Sequence, residues 1–170
     1  MSPLRTNKIY PFAGEQGNGG GIIQTKFATR TGEFSFSSTS GGASIYKTVL
    51  SCSIEPQNSS SKILVLAYAD GIADRGGDEW ESFVAHGAND TANGGDPTSW
   101  TGKLGCITGL GAWTGSQRTI GTYSMHALHS PNTTSNTIYS IITNRKSTSH
   151  WNNEFEGVDG TSIILLEISS

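Results

Sequence analysis

Residues 50–68 read LSCSIEPQNSSSKILVLAY, and this stretch decides the fold that the sequence predicts. Its first five residues alternate apolar and polar side chains, as a strand with one buried face does. Pro56 and the polar run 57–61 then favour a turn, and an almost uninterrupted apolar run follows from Ile63 to Ala69. The stretch is therefore predicted to form a strand, a turn and a second strand.

The second of these strands is apolar on both faces, because neighbouring side chains of a strand point to opposite sides. One face would carry Ile63, Val65 and Ala67, and the other Leu64, Leu66 and Tyr68. Residues 161–168, TSIILLEI, show the same feature. Strands of this kind need a covering layer on each face. No window of 11 or more residues has the apolar spacing of an amphipathic helix, so we expect a second sheet and a neighbouring subunit to supply the covers.

Composition points to one all-β domain without a charged partner. The 170 residues include 22 Gly, 23 Ser and 19 Thr, and only 15% are charged, below the roughly 25% of ordinary soluble domains. The net charge is −3 and the 11 Lys and Arg are scattered, which favours neither nucleic acid nor an anionic membrane as a partner. The amino terminus lacks the apolar core of a signal peptide, and no apolar run is long enough to cross a membrane, so we expect a soluble chain made in a cytosol.

Turn signals divide residues 22–170 into eight or nine short strands, the pattern of a β-sandwich or barrel. The first strand of the opening stretch belongs to a longer candidate, residues 44–54. Besides this strand, the apolar run 63–69 and the final stretch 161–168, the candidates are residues 22–30, 33–37, 80–88, 104–108, 118–128 and 137–143. Residues 145–160 are predicted to be a loop. Cys52 and Cys106 are expected to be small buried side chains and not a disulfide.

Residues 1–21 differ from the rest of the chain. Four isolated apolar residues, Leu4, Ile9, Tyr10 and Phe12, precede the glycine-rich run 14–21. Spaced anchors followed by a flexible hinge cannot form a core of their own. We therefore predict an extended arm, residues 1–21, that docks on a partner, joined to a β-sandwich domain, residues 22–170.

No cofactor or metal site is predicted. The four histidines, His86, His126, His129 and His150, follow no metal-binding motif. His126 and His129 are expected to meet solvent or a neighbouring subunit.

Carboxylates offer two further alternatives. Calcium ligands could come from Asp70, Asp74 and Asp78, and paired acids for glycoside cleavage from Asp78, Glu79 and Glu81, or from Glu154 and Glu156. Their spacing fits neither site well, so we expect surface acids and no catalytic residue.

The four tryptophans, Trp80, Trp100, Trp113 and Trp151, lie in or beside predicted loops. Exposed tryptophan is costly, so these side chains are expected under loops or at subunit contacts. Glycan contact by Trp100, Trp113 and Trp151 is the alternative.

Three stretches carry a resemblance to a known group of proteins. Residues 53–65 (SIEPQNSSSKILV), 128–139 (LHSPNTTSNTIY) and 160–168 (GTSIILLEI) resemble recurring segments of small virion proteins and tail-fibre domains of marine tailed bacteriophages, especially those of cyanobacteria. Residues 4–9 are similar to amino-terminal segments of such fibres. The resemblance implies a jelly-roll-like antiparallel β-sandwich that assembles on the virion, commonly as a trimer. Unlike long fibres, this chain has no repeat or coiled-coil shaft before the domain.

The sequence thus predicts a non-enzymatic virion structural protein that self-assembles and docks through its arm onto other virion proteins. It could be a tail fibre, a neck or collar appendage, or a capsid decoration. A carbohydrate-binding domain that recognises a host-surface glycan is the alternative function.

Overall fold

Ten strands make up the computed structural model, which describes residues 21–31, 34–37, 45–73, 79–87, 102–110, 119–146, 154–157 and 160–169. They are β1 (Ile22–Thr29), β2 (Phe34–Ser37), β3 (Ile45–Ile54), β4 (Lys62–Ala73), β5 (Glu79–His86), β6 (Gly102–Leu110), β7 (Thr119–His129), β8 (Thr137–Lys146), β9 (Glu154–Gly157) and β10 (Ser162–Ile168). The described residues contain no helix, as the missing helical periodicity predicts. In particular, they include no helix that is long and apolar enough to cross a membrane.

The strands pair in a nested order: the first strand pairs with the last, the second with the last but one, and so on inward. β1 pairs with β10, β2 with β9, β3 with β8, β4 with β7 and β5 with β6, and every ladder is antiparallel. The domain is therefore one long antiparallel ribbon, doubled back between β5 and β6 and rolled up.

The rolled ribbon forms two sheets. The six-stranded sheet has the order β1-β10-β4-β9-β2, and β7 pairs with the other edge of β4. The four-stranded sheet has the order β3-β8-β5-β6. Without the short pair β2 and β9, four strands face four in the arrangement of a jelly roll. The predicted jelly-roll-like β-sandwich is confirmed.

The main core lies between the two sheets. Alternate residues of β4 and β10 point into it, and they meet Tyr139 and Ile141 of β8 and Val84 of β5. A second buried cluster, Phe83, Ala85 and Ile142, lies on the opposite face of the four-stranded sheet. β5 and β8 are therefore also buried on both faces, which the short runs FVA and II did not reveal in the sequence.

A bulge in β3 corrects the predicted alternation of that strand. Thr48 pairs with Ile142 and Leu50 with Ile141, so Val49 is the extra residue. Val49 is buried in the core, and Leu50 packs against the same cluster. Regular alternation along residues 44–54 would place Val49 and Leu50 on opposite faces, because it does not anticipate an extra residue.

Two strand boundaries also differ from those predicted. β4 continues four residues beyond Ala69, since Asp70–Ala73 keep their register with β7. Residues 154–157, predicted to be part of a loop, form β9 and pair with β2. In both cases a neighbouring strand supplies hydrogen bonds that local sequence does not announce.

The two sheets approach each other closely where β6 passes β7. A Cβ atom on Gly105 would lie 2.8 Å from the backbone carbonyl oxygen of His126. Only glycine fits without a shift of the backbone. A side chain at this position would therefore push β6 away from β7.

Candidate functional site

The most unusual surface is the face of the six-stranded sheet that is turned away from the core. Across four strands, Phe27 pairs with Ile164, Ile164 with Leu66, and Leu66 with His126. The next row consists of Thr25, Leu166, Leu64 and Leu128. Directly opposed residues of antiparallel strands point to the same side, so these rows form one continuous surface.

We define the outer face by its apolar members: Phe27, Leu64, Leu66, Tyr68, Leu128, Ile164 and Leu166. Phe27 is 74% exposed and Leu128 58% exposed, and Leu66, Tyr68 and Ile164 are each between 37 and 38% exposed. Leu64 and Leu166 are half-buried. Scattered apolar side chains are normal on a protein surface, but a contiguous patch marks an interaction site. Among the described residues, β4 and β10 therefore have the predicted cover on one face only.

A shallow groove of about 320 Å³ crosses the outer face. Leu66, Tyr68 and Ile164 give it apolar walls, and Ser124, His126 and Ser162 add hydrogen-bonding groups. Such a groove can receive one side chain from a partner molecule.

Charge is almost absent from the outer face. Lys62, which pairs with Ile168, is exposed at one corner. His126 is exposed at the β7 side. Glu167 lies on the same strand as Ile164 and Leu166, but it points into the protein. The described part of the outer face can therefore be covered without burying a carboxylate.

The buried Glu167 carboxylate fastens the turn between β3 and β4 to the end of β10. It is 0% exposed, and it accepts hydrogen bonds from Gln24 Nε2 (2.8 Å) and from the backbone N–H groups of Gln57 (2.8 Å) and Asn58 (3.4 Å). Burial by itself raises the pKa of Glu167, but the hydrogen bonds from Gln24 and the two backbone donors, together with the nearby Ser61 hydroxyl, outweigh it and hold the pKa below its ordinary value. Ser61 Oγ is buried without a hydrogen bond of regular geometry, so its effect on the carboxylate is one of proximity. The Glu167 carboxylate therefore has a structural role, and we call it, with its hydrogen-bond donors, the Glu167 clamp.

Two histidines meet at the end of the sandwich where β5 and β7 finish. The ring centroids of His86 and His129 are 4.4 Å apart, and His129 Nδ1 lies 2.9 Å from the hydroxyl of Tyr139. Burial lowers the pKa of both histidines, and repulsion from His86 lowers that of His129 further. Burial raises the pKa of the Tyr139 phenol, which therefore stays protonated.

The sequence analysis missed this cluster, because its three members lie on three strands of two sheets: the pairing of β5 with β8 places His86 beside Tyr139, and His129 of β7 meets them from the other sheet. His129 was expected to meet solvent or a subunit, and it is half-buried, so part of the ring meets solvent. His126 does meet solvent, as expected. Among the described residues, no three histidine, cysteine or acidic side chains are placed to hold a metal ion.

A second cleft, of about 300 Å³, is polar. It lies where β1 approaches the end of β3 and is lined by Gln24, Lys26, Ser53, Glu55 and Asn136. Gln24 Nε2 also donates to the Glu55 carbonyl at 2.8 Å, so one amide joins this cleft to the Glu167 clamp.

Several predicted site residues lie outside the described ranges. These are the arm anchors Leu4, Ile9, Tyr10 and Phe12, the tryptophans Trp100, Trp113 and Trp151, and also Asp74, Asp78 and His150. Of the cysteines, Cys52 is a buried free thiol whose pKa burial raises, in line with the expected packing role.

The strand ends that adjoin the tryptophan-bearing segments lie at two different ends of β5. Leu110 and Lys146, the last residues of β6 and β8, both pair with Glu79. The segments that carry Trp113 and Trp151 therefore leave the sheet on either side of the same residue. The segment with Trp100 rejoins the sheet at Gly102, which pairs with His86 at the opposite end of β5.

Comparisons with known proteins do not assign a family. No protein-family model matches the chain, and no curated protein is similar to it in sequence. The chain is similar to one in the structure of infectious bursal disease virus, Gx strain, with 12% identity, a TM-score of 0.48, and coverage of 88% of this chain and 33% of that chain. The chain thus spans about a third of the length of that viral chain. Similarity at this level identifies neither a shared fold nor a function.

Proposed function

We propose that this protein is a non-enzymatic structural component of a phage virion, whose copies associate through the outer face. The observation that carries the proposal is the exposure of a contiguous apolar surface on two strands that are otherwise buried. The resemblance of residues 53–65, 128–139 and 160–168 to phage virion proteins supports the virion setting and, with it, a trimer. Localisation in the virion follows from the same resemblance.

The size of the outer face agrees with part of a stable interface. Strands about 4.8 Å apart and same-face residues about 6.8 Å apart give a flat area of roughly 400 Å² for four strands and three rows. Each partner of a standard interface buries about 800 Å². The outer face therefore supplies about half of such an interface, and further surface must contribute.

The arm is the candidate for that further contact. Leu4, Ile9, Tyr10 and Phe12 are apolar, and the glycine-rich hinge joins β1, the edge strand of the sheet that carries the outer face. We propose that the arm docks on another virion protein and fixes the domain to the particle.

Sizing of the full chain by light scattering tests the association. The wild-type protein is expected to have the mass of an oligomer at micromolar concentration, and Leu66→Asp that of a monomer, because a carboxylate would be buried on the outer face. Ser53→Asp, an exposed position on the other sheet, is the matched control and should stay oligomeric. A wild-type monomer would refute the proposal.

Truncation tests the arm. Deleting residues 1–20 leaves the Gly21 carbonyl, which accepts a hydrogen bond from the Ser169 N–H at 3.1 Å, so the domain should fold. The truncated protein should be absent from particles. Its normal incorporation would contradict the docking role.

Recognition of a host glycan is the second candidate function. The specific observation in its favour is that the segments carrying Trp113 and Trp151 leave the sandwich beside each other, next to Glu79. Aromatic side chains with hydrogen-bonding neighbours are typical of sugar sites. A glycan array tests this function: Trp100→Ala, Trp113→Ala and Trp151→Ala should each reduce binding, and unchanged binding in all three would refute it.

A further inference from the structure

We infer that the free edge of β1 is a second interaction surface, at which the chain pairs with β1 of another copy. β1 ends the order of the six-stranded sheet, and among the described strands it pairs only with β10. Six of its eight residues are exposed, and these include Ile22 and Phe27, which are 61% and 74% exposed. The contact lies at an edge of the sheet, so it is distinct from the proposed association through the outer face.

Contacts between the two sheets protect three other edge strands. β6 and β7 lie against each other, so closely that Gly105 has no room for a Cβ atom beside the His126 carbonyl. The edge of β3 receives a side chain from β1, since Arg30 Nη1 donates to the Val49 carbonyl at 3.1 Å. An edge strand without such protection is a template for pairing with another chain.

The ladder with β10 determines which residues of β1 present backbone groups at the free edge. The Arg30 N–H donates to the Thr161 carbonyl, at the next position of the ladder, with a distance of 2.8 Å. Residues of an antiparallel strand alternate between hydrogen bonds toward one neighbour and toward the other side. Thr25, Phe27 and Thr29 therefore direct their N–H and C=O groups away from β10.

Two copies of this edge fit together in one antiparallel register. A two-fold axis at Phe27 places this residue opposite its own counterpart and Thr25 opposite Thr29 of the second copy. All three outward-directed residues then exchange backbone hydrogen bonds with the second copy. Aromatic pairs and pairs of threonines are also favourable neighbours across two strands.

Charge selects this register over its neighbours. In it, the exposed Lys26 lies opposite Ala28 of the second copy. A register with Thr25 opposite Phe27 would set Lys26 against the same lysine of the second copy, and the shift in the other direction would set it against Arg30. Like charges that lie directly opposite each other destabilise a strand pair.

The edge contact is small. The strip of residues 25–29 is about 17 Å long and about 10 Å deep, which gives roughly 170 Å², whereas each partner of a standard interface buries about 800 Å². The contact is therefore weak by itself and does not hold a dimer at micromolar concentration. Oligomers formed through the outer face present several β1 edges, so several such contacts can act together between them.

Disulfide trapping of the full chain tests the pairing, because oxidation fixes a weak contact. Phe27→Cys should form a crosslinked dimer, since directly opposed, hydrogen-bonded residues have Cα atoms about 5.5 Å apart, within the reach of a disulfide. Thr25→Cys and Thr29→Cys should each fail to crosslink alone, because equivalent positions lie about 14 Å apart. A mixture of these two variants should form a heterodimer. The wild-type chain is the control for Cys52 and Cys106.

A proline variant tests the backbone hydrogen bonds. Thr25→Pro, added to Phe27→Cys, should abolish crosslinking, because it removes a donor from the free edge. The domain should still fold, since the Thr25 N–H points away from β10 and proline is tolerated on edge strands. Circular dichroism checks the fold, and crosslinking that persists in the folded proline variant would contradict the pairing.

Phe27 also belongs to the outer face, so a further variant separates the two contacts. Crosslinking of Phe27→Cys should survive the addition of Leu66→Asp. If it disappears, the crosslink forms through the outer face, and the edge pairing is overturned while the proposed association stands. No crosslinking by Phe27→Cys, or equal crosslinking by Thr25→Cys alone, also overturns the edge pairing. A wild-type monomer together with intact crosslinking refutes only the association through the outer face.

Discussion

At the scale of single residues, Glu167 shows how one side chain joins distant parts of the ribbon. Its carboxylate holds the β3–β4 turn through Gln57 and Asn58 and holds β1 through Gln24. A buried carboxylate is tolerated because N–H donors surround it.

Replacing this carboxylate should be costly. In Glu167→Gln, the new amide NH₂ group would face a donor, either Gln24 Nε2 or a backbone N–H, so we expect a loss of about 1–3 kcal/mol in the free energy of unfolding. Urea unfolding at pH 7 measures it. Glu55→Gln, at an exposed position, is the control and should change stability by less than about 0.5 kcal/mol.

The same loss should depend on pH. Because the pKa of Glu167 is lower in the folded protein, its contribution is complete above the ordinary glutamate pKa of about 4.3 and disappears as the pH falls through the lower folded value. The difference between wild-type protein and Glu167→Gln should therefore shrink near pH 3. A difference that stays constant would contradict this account.

The lowered pKa values of His86 and His129 predict a second pH dependence of folding stability, at higher pH than that of Glu167. Their folded pKa values are lowered, so the unfolded chain binds protons more readily. Stability is complete above the ordinary histidine pKa of about 6.5 and should fall as the pH drops below it. Thermal unfolding at pH 7.5 and 5.5 measures the fall, and in His129→Gln it should be smaller.

At the scale of elements, two adjacent isoleucines of β10 differ in how far their side chains are buried. Ile163 is 0% exposed in the core, whereas Ile164 is 37% exposed on the outer face. Ile163→Ala should cost about 2–5 kcal/mol of folding stability. Ile164→Ala should cost about 1 kcal/mol or less in the monomer but should weaken association. Equal effects on folding would show that a single subunit already covers both faces.

The approach of β6 to β7 gives another prediction for an element pair. Gly105→Ala forces a methyl group against the His126 carbonyl and should destabilise the fold by about 1–3 kcal/mol. At Gly21 a Cβ atom would meet nothing within 4 Å, so Gly21→Ala should be neutral within about 0.5 kcal/mol. Denaturant midpoints compare the two variants.

At the scale of the whole molecule, the nested ribbon determines the folding rate. The outermost ladder joins Ile22 to Ile168, and even the innermost pair, β5 and β6, is closed by a long segment. Non-local strand pairing of this kind slows folding, so we expect refolding in milliseconds to seconds or slower. Stopped-flow fluorescence measures it, and refolding within microseconds would contradict the expectation.

By itself, the sequence determined the class of the fold and the strands that matter most. Alternation, turn residues and the absence of helical spacing are local properties, so residues 50–68 and 161–168 could be assigned correctly. The two apolar faces of β4 also followed from local alternation. The arm and the tryptophans remain predictions.

Tertiary structure alone decided the partners of each strand. It joined His86 to His129, turned Glu167 inward and inserted the bulge at Val49. It also showed which apolar face of β4 and β10 is covered by the described residues and which is exposed. The physical reason is that register and layer order depend on contacts between residues far apart in the chain, which no local pattern encodes.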